Sequence, residues 1–423
     1  YDSVAIFTGS GTIVDGKVVQ VYPGLCDPKT KGCPGGTNLC IAVPADPADP
    51  LQTNWSKTWT ENPIVPNTGR DPSTAWKTSS GEWRLTTFDT QTFGSMDFKT
   101  WYRLGATPGF AHGECPSFFP LPKTTPGARE SSSDPKPTHV HKASHGGDWM
   151  CVGTYTEGTA KTTGSFTATP GIKAGLKETK IDMGRFYASK DFYDPVKDRR
   201  INYGWAQTAG PTNVQTMPRE ITWHPELQQL VYSPVEEQDT LRVKEIGGFN
   251  GQLDANKPES LGLPKYVGNQ SEVMISFLRP TADATLGVKV MASQNGTSGT
   301  LFTVEYQANV REVRVGGGGV FDTLQILDSD GTIDIHIYVD NTFAEVYFQG
   351  GRVAMTVNTP ATDDADILVS SSLTGIAAKA TAWSVSSIWV TPEEVLRTPR
   401  LDGKPLDAWK ELLTASQETL QYV

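Results

Sequence analysis

Between residues 332 and 339 the chain alternates without a break. Ile333, Ile335, Ile337 and Val339 fall on one side of an extended backbone, and Thr332, Asp334, His336 and Tyr338 on the other. A period of two requires a strand with one face on a core and one face wet, because a helix would repeat its apolar residues every three or four positions. Residues 273–277, 302–306 and 344–348 read the same way, and 365–369 is a shorter, weaker apolar run. Several such strands within residues 269–397 predict a β-sandwich.

Upstream of about residue 243 the texture differs. Short aromatic strands, such as 81–88 around Trp83 and 148–155 around Trp149, are separated by long turn-rich loops. The 41 Gly and 29 Pro among 423 residues punctuate the chain too often for helical architecture,. Irregularly spaced strands with Trp and Gly near their ends suit a β-propeller better than a sandwich. No fixed-period repeat aligns, so the pattern does not count blades. The expected chain is all-β: a propeller over 1–243, a linker over 244–268 carrying Gly247, Gly248, Pro258 and Pro264, and a sandwich over 269–397. A tail over 398–423 follows, where Leu406, Trp409, Leu413 and Leu420 at helical spacing behind Pro405 predict a short helix,.

Charge excludes some partners. With 37 Lys+Arg against 47 Asp+Glu the chain carries −10, which argues against nucleic acid or an anionic membrane,. No apolar run approaches the ~20 residues of a membrane-spanning helix. Tyr1 opens into strand-like sequence with no leader pattern,. Cys26, Cys33 and Cys40 share a Gly/Pro-rich loop at a spacing too wide for a zinc knuckle, which favours one disulfide within it,. Asn54, Asn269 and Asn295 head glycosylation triplets, which lean the reading towards a secretory compartment,.

Candidate chemistry rests on carboxylates. Asp71 lies in Arg70-Asp71-Pro72 within a turn-like stretch, and Glu114 precedes Cys115-Pro116 and the pair Phe118-Phe119. Taken alone, each tripeptide reads as ordinary turn sequence. His139, His141 and His145 are spaced as a metal site might be, but no Cys or acidic residue completes a ligand set, so no metal or other cofactor is expected,.

Six stretches in order lift these residues above background: Phe7-Thr8-Gly9-Ser10, Arg70 to Trp76, Gly113-Glu114-Cys115-Pro116, Asp182 to Ser189, Gln215 to Glu237, and Val339-Asp340-Asn341 with Gly350-Gly351-Arg352. Together they resemble the plant and microbial β-fructofuranosidases, the glycoside hydrolase family of invertases, fructan hydrolases and fructosyltransferases. The resemblance implies a five-bladed propeller with a central funnel, followed by a β-sandwich. It also implies retaining cleavage at fructose C2, with two carboxyls ~5–5.5 Å apart. Glu114 would be the general acid/base, its pKa raised if Phe118 and Phe119 exclude water from it. Asp71 would stabilise the oxocarbenium-like transition state beside Arg70. Phe7, Thr8 and Trp205 would line the fructose pocket, with Cys115 behind the acid. Asp182 and Arg185 would border the glucose side of sucrose, Arg185 standing where the family has Lys.

One departure bears on chemistry. The family's nucleophile belongs to an Asn-Asp-Pro-Asn/Asp-Gly motif on the first blade, and no such motif occurs here; Asp2, Asp27, Asp71 and Asp194 are the nearest lookalikes. The resemblance therefore implies a chain that starts at the second blade. The first blade would come from a separate polypeptide, a further N-terminal segment or a neighbouring subunit of a homo-oligomer. The expected partner is sucrose or a fructo-oligosaccharide, in a secreted or vacuole-like setting. The alternative is a catalytically silent carbohydrate-binding or assembly protein with the same fold.

Overall fold

The computed structural model describes residues 1–397 apart from 48, 50, 58–61, 131–135, 171–177, 208–212, 265–266, 293–301, 317–318 and 360–365. The predicted helical tail, 398–423, lies outside the described residues.

Four antiparallel sheets precede residue 242, each closed on itself before the next begins. The first contains Ala5–Ile6, Ser10–Val14, Lys17–Leu25, Thr37–Pro44 and Trp55–Ser56. The second runs Trp76–Lys77, Trp83–Thr86, Gln91–Ser95, Tyr102–Ala106. Glu114–Pro120 leads the third, followed by His139–Ser144, Asp148–Thr156 and Ser165–Ala168, with Thr179–Lys180 paired to the side. Phe186–Asp194 leads the fourth, followed by Arg199–Ala206, Arg219–His224 and Gln229–Pro234, with Val214–Gln215 alongside. Sequential up-and-down sheets of this kind are propeller blades. Tight backbone contacts fix their neighbours: at Gly109, with φ +87°, a Cβ would fall 1.7 Å from the Phe166 carbonyl oxygen, so only glycine fits there,.

Two six-stranded antiparallel sheets form the sandwich. Thr332–Asp340 is central in the first, between Gln270–Leu278 and Phe343–Phe348, and pairs Ile335 with Ile275 and Phe348. Its apolar face is realised as read, with Ile333, Ile335, Ile337 and Val339 all buried against Val273, Ile275 and Phe277 in one shared core. The opposite face is not wet throughout, since Tyr338 is buried with Tyr347 and Ala354 in a second, smaller cluster. The weak run near 365–369 becomes the strand Asp366–Ser371 of the second sheet.

The expected linker is a correction. Arg242–Leu253 pairs along its length with Ile376–Val385, and Glu259–Ser260 pairs with Asp366–Ser371, so 244–268 supplies strands of the sandwich. The glycines that suggest a connector serve close approach instead. A Cβ on Gly247 would stand 2.5 Å from the Leu261 carbonyl oxygen, and the register shifts between Glu245 and Gly247,. The short helix Pro392–Arg397 follows the last strand. In the loop of three cysteines, Cys26 and Cys33 form the disulfide, with Cys40 a buried thiol.

Candidate active site

Three segments, at the entries to the second, third and fourth sheets, are tied together. Each carries a non-glycine residue in the left-handed region: Asp71 (φ 57°), Cys115 (φ 48°) and Ala188 (φ 52°). Asp71 and Cys115 also precede prolines, which restricts their backbones further. Such positions cost roughly 1–3 kcal/mol each and persist only where the surroundings over-determine them. The surroundings do so here. Phe88 joins two of the loops, its N–H donating to the Arg70 carbonyl and its carbonyl accepting from Gly113 N–H. The Lys190 ammonium donates to the carbonyls of Pro72 (3.3 Å) and Pro116 (3.1 Å), just beyond the two strained residues. Buried Lys142 donates to the carbonyls of Cys115 and Ser189, with Asp148 3.2 Å away balancing its charge. The Ser10 hydroxyl donates to the Pro72 carbonyl at 2.6 Å, tying in the first sheet.

Arg70 is the hub. Its guanidinium lies over the Phe88 ring at 4.5 Å, donates to Glu114 Oε1 at 2.5 Å, and has Nε 3.8 Å from Asp71 Oδ2. Tyr187 donates its hydroxyl to the other Glu114 oxygen at 2.8 Å. Asp71 accepts the Cys115 backbone N–H at 3.1 Å and is only 4% exposed. The two carboxyls are pushed apart electrostatically. Burial raises Asp71, outweighing the Cys115 N–H and Arg70, which lower it,. Arg70 and then Tyr187 hold Glu114 below the usual carboxylate range.

That last direction corrects the expectation of a raised pKa. Phe118 and Phe119 do not cover Glu114. Phe118 packs with Phe110, Cys151 and Phe166, and Phe119 packs with Val140, Met150 and Ile221. Glu114 keeps 38% of its side chain exposed.

The other predicted site residues divide. Thr8 lies beside the Cys115 thiol, and Phe7 and Trp205 are exposed, with the Trp205 ring 6.5 Å from Tyr187. A cleft of about 570 Å³ between the first and fourth sheets is lined by Gly9, Gln20, Ala188, Lys190, Tyr203 and Trp205; it adjoins the site through Ala188 and Lys190, and neither Asp71 nor Glu114 lines it. Asp182 is not brought to this pit. It is 2% exposed, ion-paired with Arg219 and hydrogen-bonded by Thr356, whereas Arg185 is exposed. Three of the lookalike aspartates are engaged elsewhere: Asp2 with Lys57 and Tyr22, Asp27 in a turn with Lys29 N–H, Asp194 with Arg199. The histidines pack rather than converge: His141 stacks on Phe110 with burial pushing it down to about 3, His139 stacks on Phe118, and His145 lies 3.4 Å from Glu178.

Sequence reading missed Tyr187, Lys142 and Lys190. Tyr187 sits inside a quoted family stretch, which was the available signal. Buried lysines leave none, because lysine is ordinarily a surface residue.

A propeller bearing two unlike carboxylates on one arginine, joined to a sandwich, defines a glycoside-hydrolase type of protein. The Glycosyl hydrolases family 32 N-terminal domain matches residues 1–234 and the Glycosyl hydrolases family 32 C terminal matches 237–384. The chain belongs to glycosyl hydrolase family 32. It is 33% identical over 326 residues to the vacuolar acid β-fructofuranosidase 4 of Arabidopsis thaliana, covering 64% of this chain and 47% of that protein. It is 34% identical over 431 residues to an insoluble β-fructofuranosidase isoenzyme of Arabidopsis thaliana, covering 84% of this chain and 76% of that one. The chain thus spans under half the length of the vacuolar relative. The crystal structure of fructan 1-exohydrolase IIa from Cichorium intybus superposes with a TM-score of 0.72 at 23% identity, covering 91% of this chain and 84% of that one, which shows the shared fold.

Proposed function

We propose that the chain carries the acid/base and the stabilising carboxylate of a retaining β-fructofuranosidase that cleaves sucrose or short fructans. The observation that carries this reading is the Arg70 hub, which links Asp71 and Glu114, with the exposed Trp205 ring 6.5 Å from the Tyr187 ring that borders Glu114. Carbohydrate recognition suits such a pit, because aromatic faces cover the sugar ring while charged groups take its hydroxyls. In the first step a carboxylate attacks fructose C2 as Glu114 gives its proton to the departing glycosidic oxygen. In the second, Glu114 takes a proton from a water whose oxygen bonds to C2 as the bond from C2 to the attacking carboxylate breaks, which releases fructose and restores both carboxyl groups. Asp71 stabilises the positive charge that develops between the steps. Thr8 and Cys115 back the pit, and Arg185 reaches the leaving sugar.

The attacking carboxylate is proposed to come from a segment outside these 423 residues, seated by the cleft between the first and fourth sheets. Engagement of Asp2, Asp27 and Asp194 elsewhere supports this. The vacuolar and insoluble names of the relatives support a vacuolar or secreted setting.

Sucrose cleavage by the purified 423-residue chain and by the natural material tests the reading. Glucose and fructose release by the natural material, lost in Glu114→Gln, is expected, with negligible turnover by the chain alone. Robust turnover by the chain alone overturns the outside nucleophile. Sugar binding without turnover in either preparation leaves the silent carbohydrate-binding reading in its place.

A further inference from the structure

Propeller and sandwich meet backbone to backbone just ahead of Tyr187 in the chain. Met183 and Arg185 donate their N–H groups to the carbonyls of Ala354 (3.4 Å) and Thr356 (2.7 Å). Residues 183–185 thus lie along the sandwich's edge strand Val353–Asn358 as a further strand would, and cover that edge,. A Cβ on Gly184 would fall 1.8 Å from the Thr356 carbonyl oxygen, so only glycine permits the approach,.

Asp182 locks this contact. Its Oδ1 accepts the N–H groups of Gly184 (2.7 Å) and Thr356 (2.8 Å), and its Oδ2 accepts the Thr356 hydroxyl (2.8 Å). Arg219 Nη1 stands 2.9 Å from the same Oδ2. The rest of the Arg219 guanidinium donates to Glu345 (2.7 Å), the Tyr347 hydroxyl (2.9 Å) and Thr356 Oγ1 (3.0 Å). These charged groups are almost wholly shielded from water, so their attraction is strong in a low-dielectric seam; Arg219 Nη1 meets Asp182 as an ion pair without a hydrogen bond,.

From that seam the chain runs straight to the site. The Phe186 ring lies under the Arg219 guanidinium at 4.7 Å and against Gly204, where a Cβ would stand 2.0 Å from the ring. The next residue is Tyr187, whose hydroxyl holds Glu114. A register shift after Tyr187 and the left-handed Ala188 then turn the strand,.

We infer that Asp182 is a positioning residue: through Thr356 and Arg219 it lets the sandwich set where Tyr187 stands, and so how Glu114 is held. The inference rests on the proposed role of Glu114. Two groups bond that carboxylate, Arg70 from its loop and Tyr187 from its strand, and the Asp71 carboxyl is the nearby like charge, 3.8 Å from Arg70.

Carboxyl ¹³C NMR titration of the intact chain tests it, with Glu114→Gln assigning the resonance. Thr356→Val removes the hydroxyl bond to Asp182 while keeping the shape. The Glu114 midpoint is expected to rise by about half a pH unit, as befits a weakened hydrogen bond to a charged group. Thr356→Ser should restore the original midpoint. Val288→Ala, a cavity in the opposite sheet's core, should lower the melting temperature and leave the midpoint unchanged. If Thr356→Val fails to fold, Tyr347→Phe, which strips one acceptor from Arg219, is measured instead with the same expectation. A midpoint unmoved in the seam variant, or moved equally by Val288→Ala, overturns the inference. Titration needs no turnover, so this outcome and the sucrose assay are read separately.

Discussion

Glu114 has its two carboxylate oxygens held by different donors, Arg70 on one and Tyr187 on the other, while Asp71 is sunk in the wall behind. The consequence is a pair of acids whose affinities for a proton move in opposite directions. In the proposed reaction Glu114 must carry a proton to the leaving group, so kcat/KM should fall as pH rises through its pKa. Tyr187→Phe deletes one of the bonds that favour the charged form. The descending limb for sucrose should then move to higher pH by about half a unit, less than a fully buried charged bond would give. A pH–rate profile checks this, and a limb that stays put assigns Tyr187 no influence on the acid. The residue types Asp71 and Glu114 stood out in sequence because their neighbours matched family stretches. Their donors did not, since a tyrosine 73 residues away carries no local mark of what it touches.

Elements join the site to the rest of the molecule through short connections. The 3₁₀ turn Glu236–Leu241 leads from the last propeller strand into the sandwich, and Glu237 accepts from both Arg199 and Lys197 of the fourth sheet. Arg199 above all draws Glu237 down to about 2, from an ordinary 4.5. A depressed carboxylate stabilises the fold fully above its unfolded pKa and ceases to do so as pH falls through its folded one. Part of the melting-temperature loss between about pH 4.5 and 2 should therefore vanish in Glu237→Gln, which scanning calorimetry across that range checks. Gly351 makes the second prediction at this scale. Its φ is +101° and a Cβ would stand 2.3 Å from the Tyr232 carbonyl oxygen, so Gly351→Ala brings both strain and collision at the seam. A loss of about 2–3 kcal/mol is expected in denaturant unfolding, well beyond the ordinary cost of Gly→Ala. The alternation over 332–339 predicted its strand because the period of two survives any packing. The stretch 244–268 misled because glycines that admit a neighbouring backbone look, in sequence, like glycines that break a strand.

At the scale of the whole molecule, the two units are coupled by a buried arginine with two carboxylates, Asp182 from the propeller side and Glu345 from the sandwich. Removing the cation leaves both anions unpaired away from water, which costs about 3–5 kcal/mol. Arg219→Met should therefore split a single calorimetric transition into separate propeller and sandwich transitions; one cooperative peak at lower temperature would show that other contacts couple them. The patterns local to the chain determined the all-β class, the sandwich strands and the two carboxylate loops, because strand period, turn chemistry and short motifs are properties of neighbouring residues. Only the tertiary structure decided that Arg70 binds both acids, that Asp182 belongs to the seam and not to the sugar pit, and that Lys142 and Lys190 brace the loops from within. Those outcomes depend on which distant groups share one buried volume, and that follows from how the sheets pack rather than from any run of sequence.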